Sequence, residues 1–511
     1  MSDERNRRIV KNTLMLYFRQ ILVLFIALYT VRVVLTVLGV EDYGIYNVIA
    51  GLVALGSLLS ATLASATQRF FSFALGEGDG EKLRRIFTVN LGLYAAVIIL
   101  TLFLLESLGL WYVKEQLVVP EERLGAVLVL YQLSVASFLI GILKSPFVAI
   151  LIAHEDMGTY AYISIFEALL ALTVVVFLSV LPWDDLVTYG GLVLVATSIT
   201  SLVYIFICFS RYQECSIKSL HWDTALLKEV VSFTGWSIFG HSTNLLRTHA
   251  VTILLNQSFN PTVVASRALA VTVANKVNMF AINFNTGLYP AIIKTYAEGD
   301  RPAMMSLVNS GSKATFFLLW VFALPLILEM ETVLSLWLKE VPEYAVLFAR
   351  LALVESLILS VSLPITTAAR APGRMMIYEL SLGSIQIGIF IASWVVLNMG
   401  APPFSVFVVA IVANVLMFFV RLILVRVMIG FDVWRFVQGV VIPIVMVTCV
   451  SSIASTSAYI LLSKSVLTSF FSVLLSVTFS SLSMYFLALT QAEKKSLTSI
   501  ILRKIPKLAE N

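Results

Sequence analysis

Residues 403–428 read PFSVFVVAIVANVLMFFVRLILVRVM, and from Ser405 to Val420 they carry no charge. A surface helix of a soluble domain shows a charged or polar face, and this stretch shows none. A bilayer core about 30 Å thick is crossed by about 20 apolar residues, so the stretch reads as a membrane-spanning helix. The same ruler moved outward along the chain brings the total to about fourteen spans. They run 13–38, 44–74, 86–109, 124–153, 159–181 and 186–209, then 230–257, 262–290, 306–329, 343–368, 375–398, 403–428, 436–462 and 466–490. The turns between them are short, and no segment is long enough for a domain outside the membrane. Composition agrees. Of 511 residues, 59% are hydrophobic and 13% charged, where a soluble domain carries about 25% charged residues. That excludes a soluble enzyme, a disordered chain, a coiled coil and a collagen, and it leaves an all-α integral membrane protein.

Basic residues near the N-terminus (Arg5, Arg7, Arg8 and Lys11) precede an apolar run that is too long for a signal-peptide core, so the run reads as an uncleaved first helix. The three cysteines, Cys208, Cys215 and Cys449, and the four histidines have no metal-ligand spacing. No cofactor, metal or nucleic acid is expected. With the N-terminus placed in the cytoplasm, about 21 Lys and Arg fall in cytoplasmic segments. The outer segments hold only Lys114, Arg123, Lys339 and Lys464. This bias predicts both termini inside and an even number of spans.

Two echoes predict an internal repeat. Leu75-Gly76-Glu77-Gly78-Asp79 follows the second span, and Tyr296-Ala297-Glu298-Gly299-Asp300 follows the eighth. Ser145-Pro146 breaks the fourth span, and Leu363-Pro364 breaks the tenth. Spans one to six thus map onto seven to twelve in the same order, a parallel repeat. The expected organisation is a six-helix lobe at 1–209 and a cytoplasmic linker at 210–229. A second six-helix lobe follows at 230–428, then two added helices at 429–490 and a basic cytoplasmic tail at 491–511. Pro146 and Pro364 are candidate hinges, because proline inside a membrane helix frees a carbonyl.

No catalytic set stands out. Gly76-Glu77-Gly78-Asp79-Gly80 lacks the ending of a phosphate loop and reads as a turn. His154-Glu155-Asp156 and the Asp184–Asp185 pair also read as turns, solvated or flanked by an interfacial aromatic. Charge inside the membrane is more informative. Lys313, Arg350 and Arg421 lie near span ends and are expected to reach an interface. Seven cations lie deeper: Arg19, Arg32, Arg69, Lys144, Arg247, Arg267 and Lys276. Acids comparably deep are few, and Glu167 and Glu355 are the clearest. Each deep charge facing lipid costs roughly 2.5–3.5 kcal/mol, so a water-filled cavity between the lobes, lined by cations, is the cheaper arrangement. Such a cavity selects an anion. The seventh and eighth spans add polar stripes. His241 and Asn244 lie on one, Asn275 and Asn283 on the other, and such walls suit sugar hydroxyls. Interhelical hydrogen bonding is the plainer reading of the same stripes.

The stretch Phe233-Thr234-Gly235-Trp236, with Leu254-Leu255-Asn256, Ala265-Ser266-Arg267-Ala268-Leu269-Ala270, Asn283-Phe284-Asn285 and Pro290-Ala291-Ile292-Ile293-Lys294, resembles the multidrug/oligosaccharidyl-lipid/polysaccharide (MOP) exporter superfamily. Within it, the chain resembles the O-antigen and capsule flippases over about its first 430 residues. The resemblance implies a non-enzymatic flippase of the bacterial inner membrane. It would move undecaprenyl-pyrophosphate-linked oligosaccharide repeats by alternating access, powered by H+ or Na+. Glu167 and Glu355 would then be candidate ion carriers, or simple partners of a nearby arginine. Membrane lipids and the polysaccharide polymerase machinery would be its neighbours, and a monomer suffices because one chain holds both lobes. A cation-coupled drug exporter, a lipid II flippase and a membrane glycosyltransferase are the alternatives. The drug exporter would want an acidic cavity, and the glycosyltransferase a larger outer loop.

Overall fold

A computed structural model describes residues 2–494 apart from 55, 116, 118–120, 217–220, 260, 339, 463–465 and 492. The described chain is helical almost throughout, as lipid requires of a backbone that must satisfy its own hydrogen bonds. The helices are α1 (Ser2–Ala54), α2 (Ser57–Glu77), α3 (Gly80–Glu115), α4 (Leu124–Ala153), α5 (Met157–Leu178), α6 (Asp185–Arg211) and α7 (Thr224–Ser258). They continue as α8 (Pro261–Ala297), α9 (Arg301–Trp337), α10 (Ala345–Arg370), α11 (Met376–Asn398), α12 (Ser405–Ile429), α13 (Val433–Leu461) and α14 (Leu467–Ala488).

Among the described residues, ten helices are long and apolar enough to cross a membrane, fewer than the fourteen spans expected. The ten leave out α1, α2, α7 and α8, and in α1 a shorter apolar segment, Met15–Ala27, is found. In α7 and α8 the reason is the polar stripes read from the sequence. The expected turn between the first two spans is a kink inside α1 at Gly39, whose φ of 75° no side chain adopts comfortably, and the expected span 44–74 is divided between the end of α1 at Ala54 and α2 from Ser57.

The echoed turns share one construction. Gly78 (φ 72°) and Gly299 (φ 76°) are both left-handed. Asp79 then accepts from the Lys82 N–H, and Asp300 from the Ala303 N–H, each starting the next helix. The proline echo is less uniform. Pro146 is buried within an unbroken α4, whereas α10 breaks at Ser362 and restarts with Pro364 in its first turn. Gly311 of α9 makes room for that restart. A Cβ there would sit 2.3 Å from Leu288 and 3.2 Å from Pro364.

The chain divides into two compact units. The first is Ile9–His241 with Ile293–Gly299, and the second is built chiefly on Ser242–Ile292 and the chain from Asp300. In the first, the segment after α6 is docked rather than free. Trp222 packs where Gly92 lacks a side chain, the His221 N–H donates to Thr88 Oγ1 at 3.3 Å, and Asp223 caps α7. His154 lies 2.5 Å from Glu214 Oε1 and stacks on Tyr212. Burial pushes the Glu214 carboxyl up, but the His154 contact, a backbone hydrogen bond and the charge of Arg84 together outweigh it and hold the group below its ordinary value. Glu155 pairs with Lys294 at 2.9 Å, and Asp156 caps α5 and pairs with Arg211. The His154–Asp156 turn is therefore a bonded junction, not the solvated loop expected. Arg123 likewise bridges Asp42 and Asp184.

In the second unit, the three cations expected to reach an interface turn inward instead. Lys313 is 6% exposed and pairs with Glu493 at 2.9 Å, which ties the segment after α14 to α9. Arg350 donates to the Ile327 carbonyl at 2.8 Å, and Arg421 donates to Tyr378 Oη at 2.9 Å. Most of the expected C-terminal tail lies outside the described residues.

Candidate functional site

The deep charges gather into one cluster in each unit. In the first unit, α1, α4, α5 and α6 converge on Tyr204. Lys144 Nζ lies 2.9 Å from Glu167 Oε1 and 5.7 Å from the centre of the Tyr204 ring. Arg19 donates to Ser164 Oγ at 3.5 Å and lies 4.8 Å from the centre of the Tyr160 ring. Tyr204 bonds Ser164 and feels the charges of both Arg19 and Glu167. The cluster holds two cations, one carboxylate and two aromatic faces that shelter the cations. The Lys144 side chain is 18% exposed and Glu167 45%.

In the second unit, α7, α8, α10 and α12 supply the groups. Arg247 Nη1 donates to Glu355 Oε1 at 3.1 Å, and Arg247 Nη2 to Asn244 Oδ1 at 3.4 Å. Asn414 Nδ2 donates to the same Glu355 oxygen at 3.0 Å. Arg267 donates to Thr252 Oγ1 and feels the charges of both Arg247 and Glu355. This cluster also has two cations and one carboxylate, but amides rather than rings surround it. Arg247 and Glu355 are each 15% exposed at the side chain.

The remaining sequence candidates divide further. Arg69 is enclosed among Phe70, Phe73 and Phe233 and reaches Glu229 at 3.4 Å, so it fastens α2 to the start of α7. Lys276 and Asn275 are exposed on α8, and Lys276 makes no ion pair among the described residues. His241 is exposed on α7, and Asn283 is buried on α8. The Arg32 side chain lies outside the described residues. Glu167 and Glu355, read as ion carriers or arginine partners, each hold a basic residue, Lys144 in one case and Arg247 in the other. Two groups went unnoticed in the sequence. Asn414 is the one amide in the opening stretch, and Tyr204 has no polar neighbour in sequence to mark it.

The net positive balance of both clusters, taken with a nearly all-helical membrane fold, suits an anionic solute held away from lipid. The comparisons with known proteins bear on the fold and the family. The outward-facing conformation of a multidrug resistance MATE family transporter of the MOP superfamily superposes with a TM-score of 0.71 at 13% identity. It covers 83% of this chain and 96% of that one. A point mutant of the Vibrio cholerae MATE transporter VcmN gives 0.69 at 17% identity, over 84% and 99%. MATE in its straight conformation gives 0.70 at 13%, over 83% and 97%. At these identities the likeness is one of fold. No curated protein matches the chain in sequence. The family model described as polysaccharide biosynthesis protein matches residues 9–296, more than half of the chain. The chain is thus a multi-pass helical membrane protein that shares the fold of MATE transporters, and it belongs to the polysaccharide biosynthesis protein family.

Proposed function

We propose that the chain is a flippase for undecaprenyl-pyrophosphate-linked oligosaccharide repeats of a surface polysaccharide, acting in the bacterial inner membrane with both termini in the cytoplasm. The observation that carries this reading is the surplus of cations over carboxylates in both clusters. The diphosphate of such a lipid is the anion that surplus fits. Lys144, Arg19, Arg247 and Arg267 supply the field, and Lys276 is a donor that pairs with no carboxylate among the described residues. His241, Asn244, Asn275 and Asn283 offer hydrogen bonds to sugar hydroxyls, and the apolar tail stays in lipid, where each buried methylene saves about 0.8 kcal/mol. Transport is by alternating access driven by an ion gradient, with Pro146 and Pro364 as the bending points. No covalent step is involved.

The likeness to MATE transporters favours one second reading, a drug exporter of the same superfamily. Its cationic substrates would be repelled by both clusters. Deleting the gene separates the two. The flippase reading expects loss of the surface glycan, with intact lipid-linked repeat units accumulating on the inner leaflet. Normal glycan with altered sensitivity to small toxic cations favours the exporter.

A further inference from the structure

The exposed face of the second unit carries a feature that neither cluster uses. Between α11 and α12 runs an apolar groove of about 540 Å3, lined by Ile385 and Ile389 of α11 and by Val408 and Leu416 of α12. Gly388 and Ala392 leave it deep on the α11 side. Gly388 is exposed inside α11, and a Cβ built on it meets nothing within 4 Å. Gly311 and Gly190 serve close packing, because a Cβ there would sit 2.3 Å and 2.8 Å from a neighbour. Gly388 has no such duty, and glycine inside a helix costs stability against alanine. What the missing side chain gives is the depth of the groove. On the buried side of the same two helices, Gln386 Nε2 donates to Met417 Sδ at 3.4 Å and Arg421 Nε donates to Tyr378 Oη at 2.9 Å. The helices are tied together, so the groove is pre-formed.

We propose that this groove seats the polyprenyl tail of the lipid-linked substrate. The inference rests on the flippase reading and gives that substrate a tail site. Charge is one reason for this occupant. Ala413 lines the groove, and the next residue, Asn414, bonds Glu355 beside Arg247 and Arg267. One turn of α12 thus serves the apolar groove on its exposed side and the cation-rich cluster on its buried side. An amphiphile with an anionic head and a long apolar chain matches both.

Depth is the other reason. Arg426, exposed in the last turn of α12, marks the cytoplasmic end in the proposed orientation. Leu416 lies ten residues before it, about 15 Å along the helix, and Val408 eighteen residues, about 27 Å. The hydrocarbon core is about 30 Å thick, so the groove starts near the midplane and runs into the outer half. An acyl chain of an inner-leaflet phospholipid ends where the groove begins. A polyprenyl chain is far longer and reaches it from either leaflet, so the tail keeps its seat while the head crosses. The groove competes with lipid rather than with water, and its hold on the chain is therefore one of shape and close contact.

The test places the purified full chain in phospholipid nanodiscs. It measures binding of undecaprenyl pyrophosphate and of farnesyl pyrophosphate, the same head on a short chain, each per mole of probe in the bilayer. Wild type is expected to hold the long probe about tenfold more tightly. Gly388→Leu fills the groove from α11 without meeting protein. It should lower affinity for the long probe about tenfold and leave farnesyl pyrophosphate as in wild type. Ala392→Leu, four residues on, should do the same. Val195→Leu, at an exposed apolar position of the first unit, should change neither. Thermal unfolding checks folding. If both groove leucines unfold the chain, Gly388→Ala, which suits a helix, should still lower long-probe affinity about two- to threefold. Wild type that binds both probes equally overturns the inference alone. So does a folded Gly388→Leu, or Gly388→Ala in its place, that keeps the wild-type preference, since ordinary phospholipid would then cover the groove. Failure of wild type to bind either probe overturns the flippase reading itself.

Discussion

The two units solve the same electrostatic problem with different materials. Each holds two cations against one carboxylate on four helices. In the first, Arg19 and Lys144 lean on the faces of Tyr160 and Tyr204, and Glu167 is almost half exposed. In the second, Arg247 and Arg267 are surrounded by Asn244, Asn414 and Thr252, and Glu355 is held by two donors in a drier place. An aromatic face stabilises a cation without fixing the anion. An amide fixes the anion. The first cluster is therefore the more open of the two, and the second the more tightly bonded.

The largest expected effect breaks the comparison if it fails. Arg247→Ala leaves the desolvated Glu355 carboxylate without its counter-charge, with Asn414 as its remaining hydrogen-bond donor, and removing one partner of such a pair costs about 3 kcal/mol. Lys144→Ala leaves Glu167 near water, where a pair contributes less than about 1 kcal/mol. Thermal unfolding of the two purified variants should show a clearly larger loss for Arg247→Ala, and equal losses would erase the distinction between the clusters. Next comes the frame around the second cluster. Gly311→Val pushes a side chain into Leu288 and the Pro364 restart, an overpacking cost of about 1–3 kcal/mol. Gly125→Val meets open space in the first unit, and a melt should leave it near wild type.

A smaller effect sharpens the contrast between rings and amides. Tyr204→Phe removes a hydroxyl but keeps the face beside Lys144, so anion affinity should change little. Asn414→Ala removes a donor from Glu355 and should cost about 1 kcal/mol of stability. Similar behaviour in both would mean that rings and amides are interchangeable here. The smallest effect lies at the docked segment of the first unit. Glu214 titrates below its ordinary value in the fold, so its contribution is present above that ordinary value and is lost as pH falls through the lowered one. Hydrogen exchange at residues 212–216 should rise on acidification through that range in wild type, and Glu214→Gln should remove the dependence. A rise of the same size in Glu214→Gln would assign it elsewhere.

The helices were legible because hydropathy is a local property. The expected span 124–153 coincides with α4, and the polar stripes of α7 and α8 are the reason those two helices fall outside the ten. The turn at Gly78 and its echo at Gly299 were legible because a left-handed glycine followed by a capping aspartate is a local device. The pairings were not legible. Arg247 meets a carboxylate 108 residues on, and Lys313 meets one 180 residues on. No periodicity reports which helix lies opposite. That is why Lys313 reads as a residue reaching for the interface, and why Asn414 passes as a single polar residue in an apolar run.

The central claim is that the chain moves an anionic lipid-linked glycan. The most direct measurement is leaflet movement of undecaprenyl-pyrophosphate-linked oligosaccharide in liposomes holding the purified full chain, with a cationic dye as the competing cargo. The account predicts movement of the lipid-linked glycan, loss of that movement in Arg247→Ala, and no transport of the dye. Export of the dye with the glycan lipid left in its original leaflet would contradict it.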